Sequence, residues 1–198
     1  MTHMRKIVDV REEAGTEVLA GAPSGRRLFE GFWSRTPKLS GKPELLLLDF
    51  KDITVATASF LRESVFAFRD RLREEDIPLY PVVLNANDVV EDEFATLVAA
   101  RGDTIVLYQS DDAGDLKEPR MLGRLDPKQK RAFDLVQEHG LTDAVELAAL
   151  YGEQEGVPQP TAWNNRLAIL HKKGAVMRIS DGRSRRYRSM LGGQYVGD

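Results

Sequence analysis

Hydrophobic positions over residues 1–110 fall mostly in short runs broken by polar turns. Ile7, Val8 and Val10, then Val18, Leu19 and Ala20, read as the two strands of a hairpin over residues 6–22. Leu28, Phe29, Phe32 and Trp33 recur at helical spacing and predict a short helix over 26–33. Turn-rich loops at 21–25 and 37–43 flank it. Leu45 to Leu48 is a run of four leucines, which suits a central strand over 44–50 buried on both faces. Phe60, Leu61, Val65, Phe66, Phe68 and Leu72 favour one side of a helix over 59–73, and Arg62, Glu63, Arg69, Asp70 and Arg73 favour the other. A strand at 79–84, a helix at 89–100 stopped by Gly102, and a strand at 104–108 follow. Strand and helix alternate, so a sheet with helices packed on it is expected. The polar stretch that begins with Ser110, Asp111 and Asp112 reads as a linker, 111–123, between two domains.

The remaining chain has a different rhythm. Asp126-Pro127 supplies an N-cap and a first-turn proline for a helix that runs to about His139 and stops at Gly140. Thr142 or Asp143 opens a second helix with Val145, Leu147, Ala148, Leu150 and Tyr151 as its apolar content, broken by Gly156 and Pro158. Pro160-Thr161 opens a third, which packs through Trp163, Leu167 and Leu170 and ends at Gly174. Ala175 to Ile179 and Arg185 to Arg188 then flank Ser180-Asp181-Gly182-Arg183, a hairpin whose Asp-Gly pair suits the φ > 0 positions of a tight turn.

Composition narrows the function classes. Of 198 residues, 42% are hydrophobic and 30% charged, which is ordinary for a globular protein. No apolar run approaches the roughly 20 residues that cross a bilayer, and residues 1–12 lack the pattern of a secretory leader. A cytoplasmic protein with no membrane partner is expected. Cysteine is absent, and His3, His139 and His171 lie far apart in the chain. Thiolate metal sites are therefore excluded, and a histidine-built catalytic or metal centre lacks its parts. No glycine-rich phosphate loop follows a strand, and Asp111, Asp112 and Asp115 lack the ligand spacing of a calcium loop. The expectation is a non-enzyme without a cofactor or metal.

Charge changes the picture more than its total suggests. The net charge is −3, yet residues 161–190 carry eight Lys and Arg against one acid, Asp181. A compact basic segment inside an acidic chain, with regular apolar spacing of its own, points to a polyanionic partner. The expected arrangement gathers these cations on one exposed ridge.

Pro160-Thr161-Ala162-Trp163-Asn164-Asn165-Arg166-Leu167, followed by Leu170, Gly174, Val176, Arg178, Gly182 and Arg183, resembles the recognition helix, strand and wing of winged helix-turn-helix domains of MarR-type and ArsR-type bacterial regulators. The resemblance covers residues 124–190 and implies a mainly-α DNA-binding domain, with residues 191–198 as a flexible tail. A helix fits the major groove, where Asn pairs with adenine and Thr meets phosphate or a thymine methyl. Thr161, Asn164, Asn165 and Arg166 are the candidate groove contacts. Lys172, Lys173, Arg178, Arg183, Arg185, Arg186 and Arg188 are the candidates for backbone and wing contacts.

Leu45-Leu46-Leu47-Leu48-Asp49-Phe50-Lys51-Asp52-Ile53, then Val55-Ala56-Thr57-Ala58-Ser59-Phe60-Leu61, resembles the STAS-like fold of bacterial anti-sigma-factor antagonists. The resemblance spans about residues 5–110 and implies an α/β domain, a mixed sheet with helices, over 1–110. In that family an Asp-Ser/Thr-Ser/Thr-Gly stretch opens a helix and carries a phosphorylated hydroxyl. Here Thr57 stands at the Asp position, Ala58 at the first hydroxyl position and Phe60 at the glycine, while Ser59 keeps a hydroxyl. Thr57 and Ser59 are candidates for a partner or ligand surface at a helix end, or simply for the helix cap. The combined expectation is a bacterial transcription regulator. Its winged helix reads double-stranded DNA, as a homodimer, and its STAS-like domain serves as sensor or protein-interaction module. The alternative is a protein-interaction adaptor of the antagonist type that binds no DNA.

Overall fold

The four-leucine run sits in an interior strand of a sheet. A computed structural model describes residues 6–36, 42–182 and 184–191, and the chain divides into two compact units, Met1–Gly123 and Arg124–Asp198. In the first unit, β1 (Lys6–Asp9) leads into the short helix α1 (Val10–Ala14), β2 (Val18–Leu19) and helix α2 (Ala22–Arg35). Then come β3 (Glu44–Asp49), β4 (Val55–Ala56), α3 (Ala58–Leu61), one π turn (Arg62–Phe66) and α4 (Ala67–Glu74). β5 (Leu79–Leu84), α5 (Asp88–Arg101), β6 (Thr104–Ser110) and β7 (Leu116–Gly123) complete it. The main sheet has the order β1-β3-β5-β6-β7; its first four strands are parallel and β7 runs antiparallel to β6. β2 and β4 form a separate two-stranded parallel pair. The unit is a mixed α/β fold.

Three expectations change. Residues 22–25, expected as part of a loop, form the first turn of α2, which Pro23 suits because its missing N–H has no partner to lose there. Residues 6–22 are not a hairpin: Asp9 accepts a bond from the Glu12 N–H and caps α1, so β1 turns away and pairs in parallel with β3 instead. The stretch expected as a linker over 111–123 contains β7, which is hydrogen-bonded along β6. Asp111 closes the turn between them by accepting the N–H groups of Ala113 (3.1 Å) and Asp115 (2.8 Å).

Parallel strands need covered faces. Leu46 and Leu48 of β3, Leu79 and Val83 of β5, and Ile105 and Leu107 of β6 join one core with Phe32 of α2, Phe66 and Phe68 beyond α3, and Phe94 of α5. The alternate residues Leu47, Val82, Val106 and Tyr108 are also at most 1% exposed, so the central strands are buried on both sides, as the leucine run implies. α2 approaches α3 closely at Gly25, where an added Cβ would stand 2.5 Å from the Phe60 carbonyl oxygen. Arg69 is buried among these helices. It donates to the Thr104 carbonyl at 2.8 Å, pairs with Asp103 and Asp70, and lies 4.6 Å over the Phe66 ring.

In the second unit, helices α6 (Pro127–His139), α7 (Ala144–Tyr151) and α8 (Pro160–Lys173) precede the hairpin of β8 (Val176–Asp181) and β9 (Ser184–Ser189). Phe133, Leu135, Leu147, Trp163, Leu167, Leu170, Val176 and Tyr187 are buried. No helix among the described residues is long and apolar enough to cross a membrane.

Candidate nucleic-acid interface

Local sequence signals set the three helices. Asp126 and Gln129 form a reciprocal capping box before Pro127, and Asp143 caps α7 through the N–H groups of Val145 and Glu146. Between α6 and α7, Thr142 and Tyr187 exchange two backbone hydrogen bonds (3.1 and 2.7 Å), which adds a one-residue third strand beside β9. That bridge fixes the hairpin against the start of α7. Gly152 permits the turn from α7 to α8: a Cβ there would lie 2.8 Å from Pro158 Cα and 3.0 Å from the Val157 carbonyl oxygen. Trp163, fully buried, donates its indole N–H to the Val157 carbonyl at 2.9 Å and ties α8 to this turn.

The burial of Trp163, Leu167, Leu170 and Gly174 defines the inner face of α8. At 100° per residue, Thr161, Asn164, Asn165, Ala168 and Lys172 form a stripe on the opposite side, and all five are exposed. The side chains of Thr161, Asn164 and Asn165 form no hydrogen bond among the described residues. Ile169 extends the stripe and is 43% exposed. The two other predicted cations of this helix point elsewhere. Arg166 is half-buried, with its guanidinium 4.8 Å over the Trp163 ring, and Lys173 donates to the Arg124 carbonyl at 3.2 Å.

The hairpin does not gather its arginines on one ridge. Residues directly paired across antiparallel strands share a face. Arg178 is paired with Tyr187, and Ser180 with Arg185, which puts Arg178 and Arg185 on the Tyr187 face. Met177 is paired with Arg188, and Ile179 with Arg186, which puts Arg186 and Arg188 on the other. Burial raises the Tyr187 phenol above its ordinary pKa, and the charges of Arg178 and Arg185 pull it back. Arg186 donates to the Leu141 carbonyl at 3.1 Å and braces the third strand. Arg185 is exposed and has no ion pair among the described residues, while Arg178 and Arg188 are half-buried. Arg183 and residues 192–198 of the expected tail lie outside the described residues.

The helix end in the first unit is satisfied from within. Thr57 caps α3 by accepting the Phe60 N–H at 3.4 Å, also accepts the Gly21 N–H at 3.3 Å, and shares a 3.2 Å hydrogen bond with Ser59. Glu93 of α5 already occupies the next donor, accepting the Ala58 N–H at 3.0 Å. A carboxylate of the protein thus stands where a bound anion would. Val18 and Val55, paired between β2 and β4, and Val89 in the first turn of α5 are 49%, 38% and 53% exposed. The Asn87 cap of α5 donates to the Ile53 carbonyl at 2.7 Å and holds α5 beside β4.

Sequence reasoning missed the Thr142 bridge, because a single paired residue leaves no periodicity. It also missed Ile169, whose exposure follows only from the helix phase set by Trp163 and Leu170. No protein-family model matches the chain, and no curated protein is significantly similar to it in sequence.

Proposed function

We propose that the second unit is a winged helix-turn-helix domain that binds duplex DNA, and that the protein is a cytoplasmic bacterial transcription regulator. With the hairpin arginines divided between two faces, the reading no longer rests on a cationic ridge, and the observation that carries it is the outward stripe of α8. It is exposed and built largely from small polar and methyl-bearing side chains, of which Thr161, Asn164 and Asn165 form no hydrogen bond among the described residues, and it is held from behind by a fully buried tryptophan. A helix so presented fits the major groove, and side chains of this size reach base edges without steric conflict. Lys172 at the end of the stripe and Arg185 on the hairpin supply cations for the phosphate backbone. One helix of this length contacts few base pairs, so useful specificity calls for a homodimer on two half-sites.

The first unit serves this reading as a sensor or protein-interaction module of STAS-like fold. The occupied donors beside Thr57 and Ser59 favour a protein contact over a bound anion. The exposed Val18, Val55 and Val89 near that helix end suit such a contact.

Electrophoretic mobility shift at two salt concentrations tests the proposal. Affinity for duplex DNA falls steeply as salt rises. Lys172→Ala and Arg185→Ala each weaken binding to all sequences and reduce the slope of log affinity against log salt by about 1. Absence of a retarded complex at low salt, or a salt-independent affinity, refutes it.

A further inference from the structure

We infer that the outward face of α8 reads adenine–thymine pairs through the major groove. The inference rests on the duplex binding proposed above. Guanine offers two acceptors to the major groove, O6 and N7, and its best protein partner is an arginine or lysine that donates to both. Adenine offers an acceptor and a donor, N7 and N6–H, which the side-chain amide of asparagine matches with one donor and one acceptor. Thymine adds a methyl group that prefers an apolar neighbour.

The stripe has the second chemistry and lacks the first. Asn164 and Asn165 stand adjacent on it with both amides unengaged among the described residues, and Thr161, Ala168 and Ile169 surround them with methyl groups. The guanidinium nearest in sequence, Arg166, is turned away over the Trp163 ring. Lys172 is the one cation on the stripe, and it lies about 16 Å along the helix from Thr161 at 1.5 Å per residue. The segment from Thr161 to Ala168 covers about 10 Å, or roughly three base pairs at 3.4 Å each. Within those base pairs no side chain of α8 donates two hydrogen bonds from a cation, so guanine is left without its partner.

Selection of duplexes by the full chain from a pool with a randomised centre tests this. The expected result is a half-site containing about three consecutive A·T or T·A pairs. Replacing one of those adenines by 7-deazaadenine, which lacks the N7 acceptor, lowers affinity roughly tenfold. The same replacement has no effect in whichever of Asn164→Ala or Asn165→Ala has lost the amide that reads that base. Both asparagines are exposed, so these variants keep the fold. Selected sites that carry guanine, or no base preference, at those positions overturn the inference while leaving duplex binding intact. An A·T-rich site indifferent to 7-deazaadenine also overturns it, because groove width rather than base edges is then being read. Failure to retain any duplex overturns the inference together with the proposed function.

Discussion

Replacing Trp163 with Phe separates the inner face of α8 from its outer one. The indole is 0% exposed, donates to Val157 at 2.9 Å and carries the Arg166 guanidinium 4.8 Å over its ring. Phenylalanine removes the hydrogen bond, a loss of about 1 kcal/mol. It also leaves a void where part of the indole was, worth about 1–2 kcal/mol more. The C-terminal unit is therefore destabilised by about 2–3 kcal/mol. Hydrogen exchange of the full chain, followed by mass spectrometry on peptides covering 160–173, measures this directly. Where α8 exchanges by opening of its unit, protection falls roughly 30- to 140-fold, at about 1.4 kcal/mol per decade. Duplex affinity, measured well below the unfolding transition, stays within about twofold, since no atom of the outward stripe changes. Unchanged protection combined with a collapse of duplex affinity refutes the argument, because the indole would then act on a base and not on the core.

Three further outcomes follow from the same geometry. Gly152→Ala lowers the urea midpoint of the C-terminal unit by an amount equivalent to about 1–3 kcal/mol, because the new methyl meets Pro158 Cα and the Val157 carbonyl; wild-type stability would show that the turn has room for a methyl group. Arg69→Met destabilises the first unit by about 3–5 kcal/mol, since Asp103 and the Thr104 carbonyl lose a buried partner, and adding Asp103→Asn recovers part of it in a double-mutant cycle. A loss under about 1 kcal/mol would contradict that network. The N–H of Asp115, with Lys117 beside it, holds the Asp111 carboxyl below its ordinary pKa of 3.8. A depressed carboxyl stabilises the fold above its unfolded pKa, and that contribution disappears as pH falls through the folded value. The Asp115 amide resonance should accordingly titrate below pH 3.8, and a midpoint at or above that value counts against the turn.

Much of the fold was legible wherever one signal dominated. The leucines of β3, the amphipathic helix after Thr57, the Asp126-Pro127 start of α6 and the Asp-Gly hairpin all lie where local chemistry places them. β7 was not legible, because five of its eight residues are exposed and its apolar content is Leu116, Met121 and Leu122 alone. It is a strand through its bonds to β6, which no local propensity encodes. Residues 6–22 misled for the opposite reason: Val10 and Leu19 are apolar and buried, but helix and parallel pairing place them there rather than a hairpin. In the candidate interface, helical phase alone identified Thr161, Asn164 and Asn165 as outward. The diversion of Arg166 onto Trp163 and of Lys173 onto Arg124 depends on what lies beside the helix, which composition cannot express.

The polar character of β7 also bears on how copies of the chain meet. An outermost strand with free amides and carbonyls invites a foreign strand to dock, and fibrous growth begins that way. This rim instead presents Lys117, Glu118, Pro119 and Arg120, with a proline that has no amide to give and Glu118 twisted to φ 50. A newcomer finds neither a continuous ladder nor a greasy track there, so self-association at this border is discouraged even in concentrated solution.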